Sequence, residues 1–267
     1  MKILISPVSL EEARIVVEGG ADILDIKNVK EGSLGAQVPW VTKEIIREFK
    51  GTGIMCSATL GDLPYKPGTA ALAALGAASC GVNYIKAGLF GATNYEEAFT
   101  MMDSVVHAIR MVANDILAVA AGYADYSRIG SASYRDVIKA ARDAKADVVM
   151  LDTAIKDGRT LFDALSYDEI KDFVDLAKET GLIVALAGSI KMQHLAALSE
   201  IKPDIVGIRG AVCDSSDRTM GITMEKVREF MAYARKVSPE KGKGILKKEV
   251  ANWHSSNPVE ESIVLNQ

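Results

Sequence analysis

Short apolar runs alternate with longer stretches of helical periodicity from the N-terminus to about residue 237. The runs cover residues 2–7, 22–28, 53–59, 82–88, 116–121, 147–152, 182–187 and 205–208, and their length and flanking Gly and Pro predict strands. The stretches between them predict helices. Ser9-Leu10-Glu11-Glu12 has the form of a capping box, with Ser at the N-cap and Glu three residues on, and the helix it opens stops at Gly19-Gly20. Pro39 suits the first turn of a second helix, running to about Phe49. An alanine-rich helix follows over residues 69–80, and Thr93 or Asn94 caps a long one ending near Asn114. Further helices are predicted over 134–144, from the capping box Ser166-Tyr167-Asp168-Glu169 to about Thr180, and over 191–200 and 223–237.

Eight strand-helix units with no large gap imply a parallel sheet with right-handed crossovers. Eight in residues 1–237 predict an α/β protein of the (β/α)8 TIM-barrel type, a single catalytic domain. An open doubly wound sheet would usually carry a glycine-rich dinucleotide loop after its first strand, and Pro7-Val8-Ser9 is no such loop. Residues 238–267 fall outside the repeat and form a C-terminal extension of unknown role.

Composition narrows the function. The chain of 267 residues is 49% hydrophobic and 25% charged, which describes a folded domain rather than a disordered one. The formal net charge is -4 with Lys and Arg scattered, so a nucleic-acid partner is not expected. No apolar run approaches the roughly 20 residues of a membrane span, and the N-terminus enters a strand with no signal region. Three cysteines without CxxC spacing argue against a disulfide framework and for a reducing cytoplasm. His107, His194 and His254 lie far apart, so neither a metal site nor a cofactor is expected.

The chemistry concentrates in the second run, Asp22-Ile23-Leu24-Asp25-Ile26-Lys27-Asn28. Asp25 and Lys27 are two apart and share a strand face, while Leu24 and Ile26 take the other. Taken alone, the pair is an ordinary structural ion pair. Barrel active sites, however, lie at the C-terminal strand ends, where strand four places Lys86 beside Tyr84 in parity, and strand six places Asp152 beside Met150. Alternate strands supply the same layer, so the ends of strands two, four and six converge. Lys156 follows in the loop after strand six. A lysine among other cations and apolar walls loses its proton readily, attacks a carbonyl and forms a Schiff base, with a second lysine or a carboxylate moving protons. Each lysine alone also reads as a phosphate clamp.

Gly188-Ser189 after strand seven and Arg209-Gly210-Ala211 after strand eight occupy the usual barrel phosphate position, with Lys191 nearby. A small phosphorylated substrate is therefore expected. Cys56 and Cys213 lie near strand ends without a neighbouring His and read as inert buried thiols.

Several spaced segments then carry a resemblance: Asp25-Ile26-Lys27-Asn28 with Glu31-Gly32-Ser33-Leu34-Gly35-Ala36, Tyr84-Ile85-Lys86-Ala87-Gly88-Leu89, Leu151-Asp152-Thr153 with Lys156-Asp157-Gly158, and Leu186-Ala187-Gly188-Ser189. Over residues 1–237 the chain resembles the (5-formylfuran-3-yl)methyl phosphate synthase family of methanofuran biosynthesis. The resemblance implies condensation of two glyceraldehyde 3-phosphate molecules, with loss of phosphate and water and closure of a furan ring. It implies Lys27 as the Schiff-base lysine and Lys86 as the proton-transfer lysine, with Asp25, Asp152 and Lys156 at other active-site positions. A homo-oligomer is expected. The residues by themselves leave open a class I aldolase of another sugar phosphate, a phosphosugar isomerase or epimerase, and a barrel that binds a phosphometabolite without turnover.

Overall fold

The computed structural model describes residues 1–238, and the rest of the expected C-terminal extension lies outside them. Eight parallel strands close on themselves: β1 (Lys2–Ile5), β2 (Ile23–Ile26), β3 (Met55–Asp62), β4 (Tyr84–Gly88), β5 (Leu117–Tyr123), β6 (Val148–Asp152), β7 (Ile183–Leu186) and β8 (Ile205–Ile208). Each pairs with its sequence neighbours, and β8 returns to β1 in the register Lys2↔Ile205 through Ile5↔Ile208. The predicted (β/α)8 barrel is the fold.

The outer layer holds α1 (Leu10–Glu18), α2 (Pro39–Glu48), α3 (Pro67–Ala78), α4 (Tyr95–Arg110), α5 (Tyr126–Ile129), α6 (Tyr134–Asp143), α7 (Leu161–Ala164), α8 (Tyr167–Glu179), α9 (Leu195–Ile201) and α10 (Met224–Val237). Side chains that capped these helices in the sequence reading do so in the fold. Asn94 accepts from Glu97 N at 3.0 Å, and Ser166 with Glu169 forms the full reciprocal box. The first box is only half made. Ser9 Oγ accepts from Glu12 N, but the Glu12 carboxylate turns away to Val8 N and to Arg209 at the end of β8.

Strand parity sorts the apolar side chains into two cores. Leu24, Ile26, Ile85, Val149, Leu151 and Val206 face the helices, where Val16, Met101, Phe173 and Phe230 cover them. Leu4, Ile23, Tyr84, Val119, Met150 and Ile205 fill the barrel interior. The inward set continues upward into polar residues, which is what places charge at the C-terminal mouth.

Three local features differ from the sequence reading. β3 runs on to Asp62 past a register irregularity against β4 between Thr59 and Asp62; Gly61 at φ +111 allows that bend, and the glycine had marked a loop. The helix expected over 191–200 is a 3₁₀ turn, Met192–His194, followed by the short α9. The one-turn helices α5 and α7 were unforeseen, since a single turn has no period to read.

Candidate active site

The polar residues at the mouth form two ion pairs, one buried and one partly buried. Asp25 and Lys86 are 1% and 2% exposed, and Lys86 Nζ donates to Asp25 Oδ1 at 2.9 Å. Ser6 Oγ, at the same height after β1, donates to Asp25 Oδ2 at 2.9 Å. Across the mouth, Lys156 Nζ donates to Asp152 Oδ1 at 2.7 Å and to Thr153 Oγ1 at 3.0 Å. Asp125 holds the loop that carries Lys156, accepting from Ala154 N and Ile155 N.

Lys27, two residues beyond Asp25 on the same strand face, lies above that pair and is also buried. Among the described residues no carboxylate comes within ion-pair distance of its amine, which makes one long contact, 3.4 Å, to the carbonyl of Ser33. Burial is the main force on this amine and pushes it down to about 8. Asp25 and Asp152 pull the other way, while Lys86 and Lys156 add to the depression. Burial alone would raise the Asp25 carboxyl, but the Lys86 and Lys27 ammoniums beside it hold it below its ordinary value. Asp152 is lowered likewise: burial opposes, and Lys156 and Lys27 prevail. The arrangement therefore holds one amine short of charge partners between two carboxylates that stay ionised.

Asp25, Lys27, Asp152 and Lys156 open into a cleft of about 680 Å³, also lined by Gly188, Ser189, Lys191, Arg209, Gly210 and Arg218. That volume is ordinary for a small-metabolite site. Gly188 at φ +107 and Ser189 at φ +50 bend the chain sharply after β7. Among the described residues, the amides of Gly188, Ser189, Gly210 and Ala211 have no protein acceptor, as a backbone anion cradle requires.

Arg209, expected among the phosphate ligands, has protein partners as well. It lines the cleft, but its guanidinium donors are engaged by protein: the Glu12 carboxylate at 2.7 and 3.2 Å, and the carbonyls of Ser6, Met220 and Arg218. Burial of a strand-end guanidinium demands such a partner, and Glu12 supplies it. The cleft arginine with capacity left is Arg218, whose guanidinium makes one hydrogen bond among the described residues, to Gly32 O at 2.9 Å. Arg218 escaped the sequence reading because it sits in an aperiodic loop. Ser6 was within reach of the parity rule that found Asp25, being two residues after Leu4. Asp62 was hidden by the irregularity in β3, and Tyr123 lies past the expected end of the fifth strand at residue 121.

Cys56 and Cys213 are buried, and burial pushes each thiol up to about 11, so they are poor nucleophiles at neutral pH. Among the described residues no group of three or more His, Cys, Asp or Glu is placed to hold a metal ion, and no helix is long and apolar enough to cross a membrane.

A closed parallel barrel with a shielded lysine between two ion pairs at its C-terminal mouth has its charged centre where (β/α)8 enzymes keep their active sites. Solved structures agree on the fold: 3-hexulose-6-phosphate synthase from Salmonella typhimurium superposes with a TM-score of 0.63 at 15% identity, over 89% of this chain and 100% of that one. Residues 3–231 match the 4-HFC-P synthase family, and the chain belongs to it. Relatives named (5-formylfuran-3-yl)methyl phosphate synthase occur in Archaeoglobus fulgidus and Methanocaldococcus jannaschii. Each is 53% identical over 231 residues, covering 86% of this chain and 98% of the relative.

Proposed function

We propose that this protein makes (5-formylfuran-3-yl)methyl phosphate from two molecules of glyceraldehyde 3-phosphate through an imine on Lys27. Membership of the family supports the product, and the observation that carries the mechanism is the buried Lys27 amine with its value near 8. At neutral pH a usable fraction of such an amine is unprotonated and nucleophilic. It adds to the aldehyde carbon, and loss of water gives the imine. The protonated imine makes hydrogens on the adjacent carbon acidic and weakens the bond to a leaving group on the next carbon. One electron sink thus serves both carbon–carbon bond formation and departure of phosphate with its bonding electron pair. Two trioses joined with loss of one phosphate and two waters balance to the furan product.

Lys86 is the proposed proton carrier, because its bond to Asp25 keeps a donor and an acceptor side by side beneath the imine. Asp152 and Lys156 form the corresponding pair on the other side. The free amides at Gly188, Ser189, Gly210 and Ala211, with Arg218, are the proposed phosphate seat.

Borohydride added during turnover with glyceraldehyde 3-phosphate should leave a reduced adduct on the peptide containing Lys27. An adduct on Lys86 or Lys156, or none from an active preparation, sinks the assignment. Lys27→Arg should abolish turnover while the protein still folds. Mass analysis of the product from glyceraldehyde 3-phosphate alone separates ring closure from simple aldol addition.

A further inference from the structure

The turn after β2 is tied down from three sides. Asp62, at the end of β3, accepts from Ser33 N at 2.7 Å and from Leu34 N at 3.3 Å. Ser33 Oγ donates to Thr153 O, just past β6, at 2.8 Å. Arg218 donates to Gly32 O from the loop after β8. Ser33 and Leu34 are buried as a result, at 2% and 0% exposure. The turn approaches Asp62 so closely that a Cβ on Gly32, at φ +136, would lie 2.2 Å from Asp62 Oδ2. The carbonyl held in this way is Ser33's, the one that Lys27 Nζ reaches.

Asp62 is itself anchored by the Tyr123 hydroxyl, which donates to Oδ1 from the end of β5. Burial, with the Asp62 carboxyl beside it, raises the Tyr123 phenol well above its ordinary value, so it remains a donor. Neither Asp62 nor Tyr123 lines the substrate cleft. They touch Lys27 only through the turn, although Asp62 also faces Arg218 and Tyr123 also faces Asp152.

We propose that Asp62, anchored by Tyr123, is a positioning residue that closes the Gly32–Leu34 turn over Lys27, seating the Ser33 carbonyl against the amine and keeping water from it. The proposal rests on Lys27 being the reactive amine. The groups facing that amine are Asp25, Lys86, Asp152 and Lys156, and none is altered by changing Asp62 or Tyr123. A turn released from Asp62 admits water to the amine, and since burial is what depresses Lys27, its value climbs back toward 10.5. The sign is diagnostic. Removing the Asp62 charge by itself would stabilise an ammonium less and move Lys27 downward, and Tyr123→Phe changes no charge at all.

The test is reductive methylation with formaldehyde and cyanoborohydride across pH, with Lys27 modification read by peptide mass in wild type, Asp62→Asn and Tyr123→Phe. Amide hydrogen exchange at Ser33 and Leu34 is followed in parallel. Wild type should reach half-maximal modification near pH 8. In Asp62→Asn the midpoint should rise by about one unit, so that modification at pH 7 falls about tenfold, and both amides should exchange faster. Tyr123→Phe, which deletes one oxygen, should shift the midpoint in the same direction by less and covers the case of an Asp62 variant that does not fold. An unchanged or lowered midpoint in both variants, with loss of thermal stability only, overturns the proposal and leaves Asp62 a packing residue. Methylation uses no triose phosphate. A failure to trap the substrate imine would count against the proposed reaction without touching this result.

Discussion

A lysine amine in water gives up its proton near pH 10.5, and Lys27 does so near 8, so the fold holds it in a form that water would protonate. That has a thermodynamic sign. Between about pH 8 and 10.5 the unfolded chain binds a proton at this residue that the folded chain does not, so stability rises with pH through that window. Below it, both forms are charged and the buried ammonium weakens the fold. Lys27→Met, which is close in volume, should therefore raise unfolding free energy at pH 6 by about 3 kcal/mol. The gain should shrink toward zero at pH 10.5 and above. Urea unfolding at the two pH values checks this, and an equal effect at both would contradict a burial-depressed amine.

At the scale of elements, the link between α1 and β8 is decisive. Glu12 looked like the second half of a capping box, since sequence spacing shows only that its carboxylate can reach back. The fold gives that carboxylate to Arg209, almost two hundred residues away, and to the amides of Val8 and Ile222. The first and last strand-helix units are thereby bolted across the β1–β8 seam. Glu12→Ala strands a buried guanidinium and should lower stability by about 3–5 kcal/mol, read as a fall in Tm. Glu12→Gln, which keeps an acceptor, should lose less. The strands themselves were legible because apolar runs bounded by glycine are local features. The path of β3 beyond Thr59 was not legible, because an irregularity in pairing leaves no period. Asp25, Lys27, Lys86 and Asp152 could be placed by counting twos along strands, whereas Asp62 and Arg218 required the closed barrel to be seen.

In the whole molecule, acidic groups at the mouth tie stability to pH from the other end. Asp25 and Asp152 have folded values held below 3.8 by the neighbouring lysines. The stability they contribute is complete above the unfolded value and drains away as pH falls through the lower folded ones. Between about pH 5 and 2, wild type should lose more unfolding free energy than Asp152→Asn, which has no carboxyl there to protonate. Parallel slopes for the two proteins would show that Asp152 is not held ionised. Lys86 reaches Asp25 from β4, whereas Lys156 reaches Asp152 from four residues along the same segment, so the Lys86 share of the effect exists only once the barrel has closed.

The three lysines and two aspartates of the mouth sum to one positive charge when all are ionised and to none when Lys27 is neutral. A phosphate drawn too close to this group would recruit a proton to Lys27 and silence it as a nucleophile. In the proposed seat the uncharged amides after β7 and β8, with Arg218, would hold the phosphate away from that centre. Distance between anion seat and amine is then itself a catalytic quantity, and the width of the barrel mouth sets it.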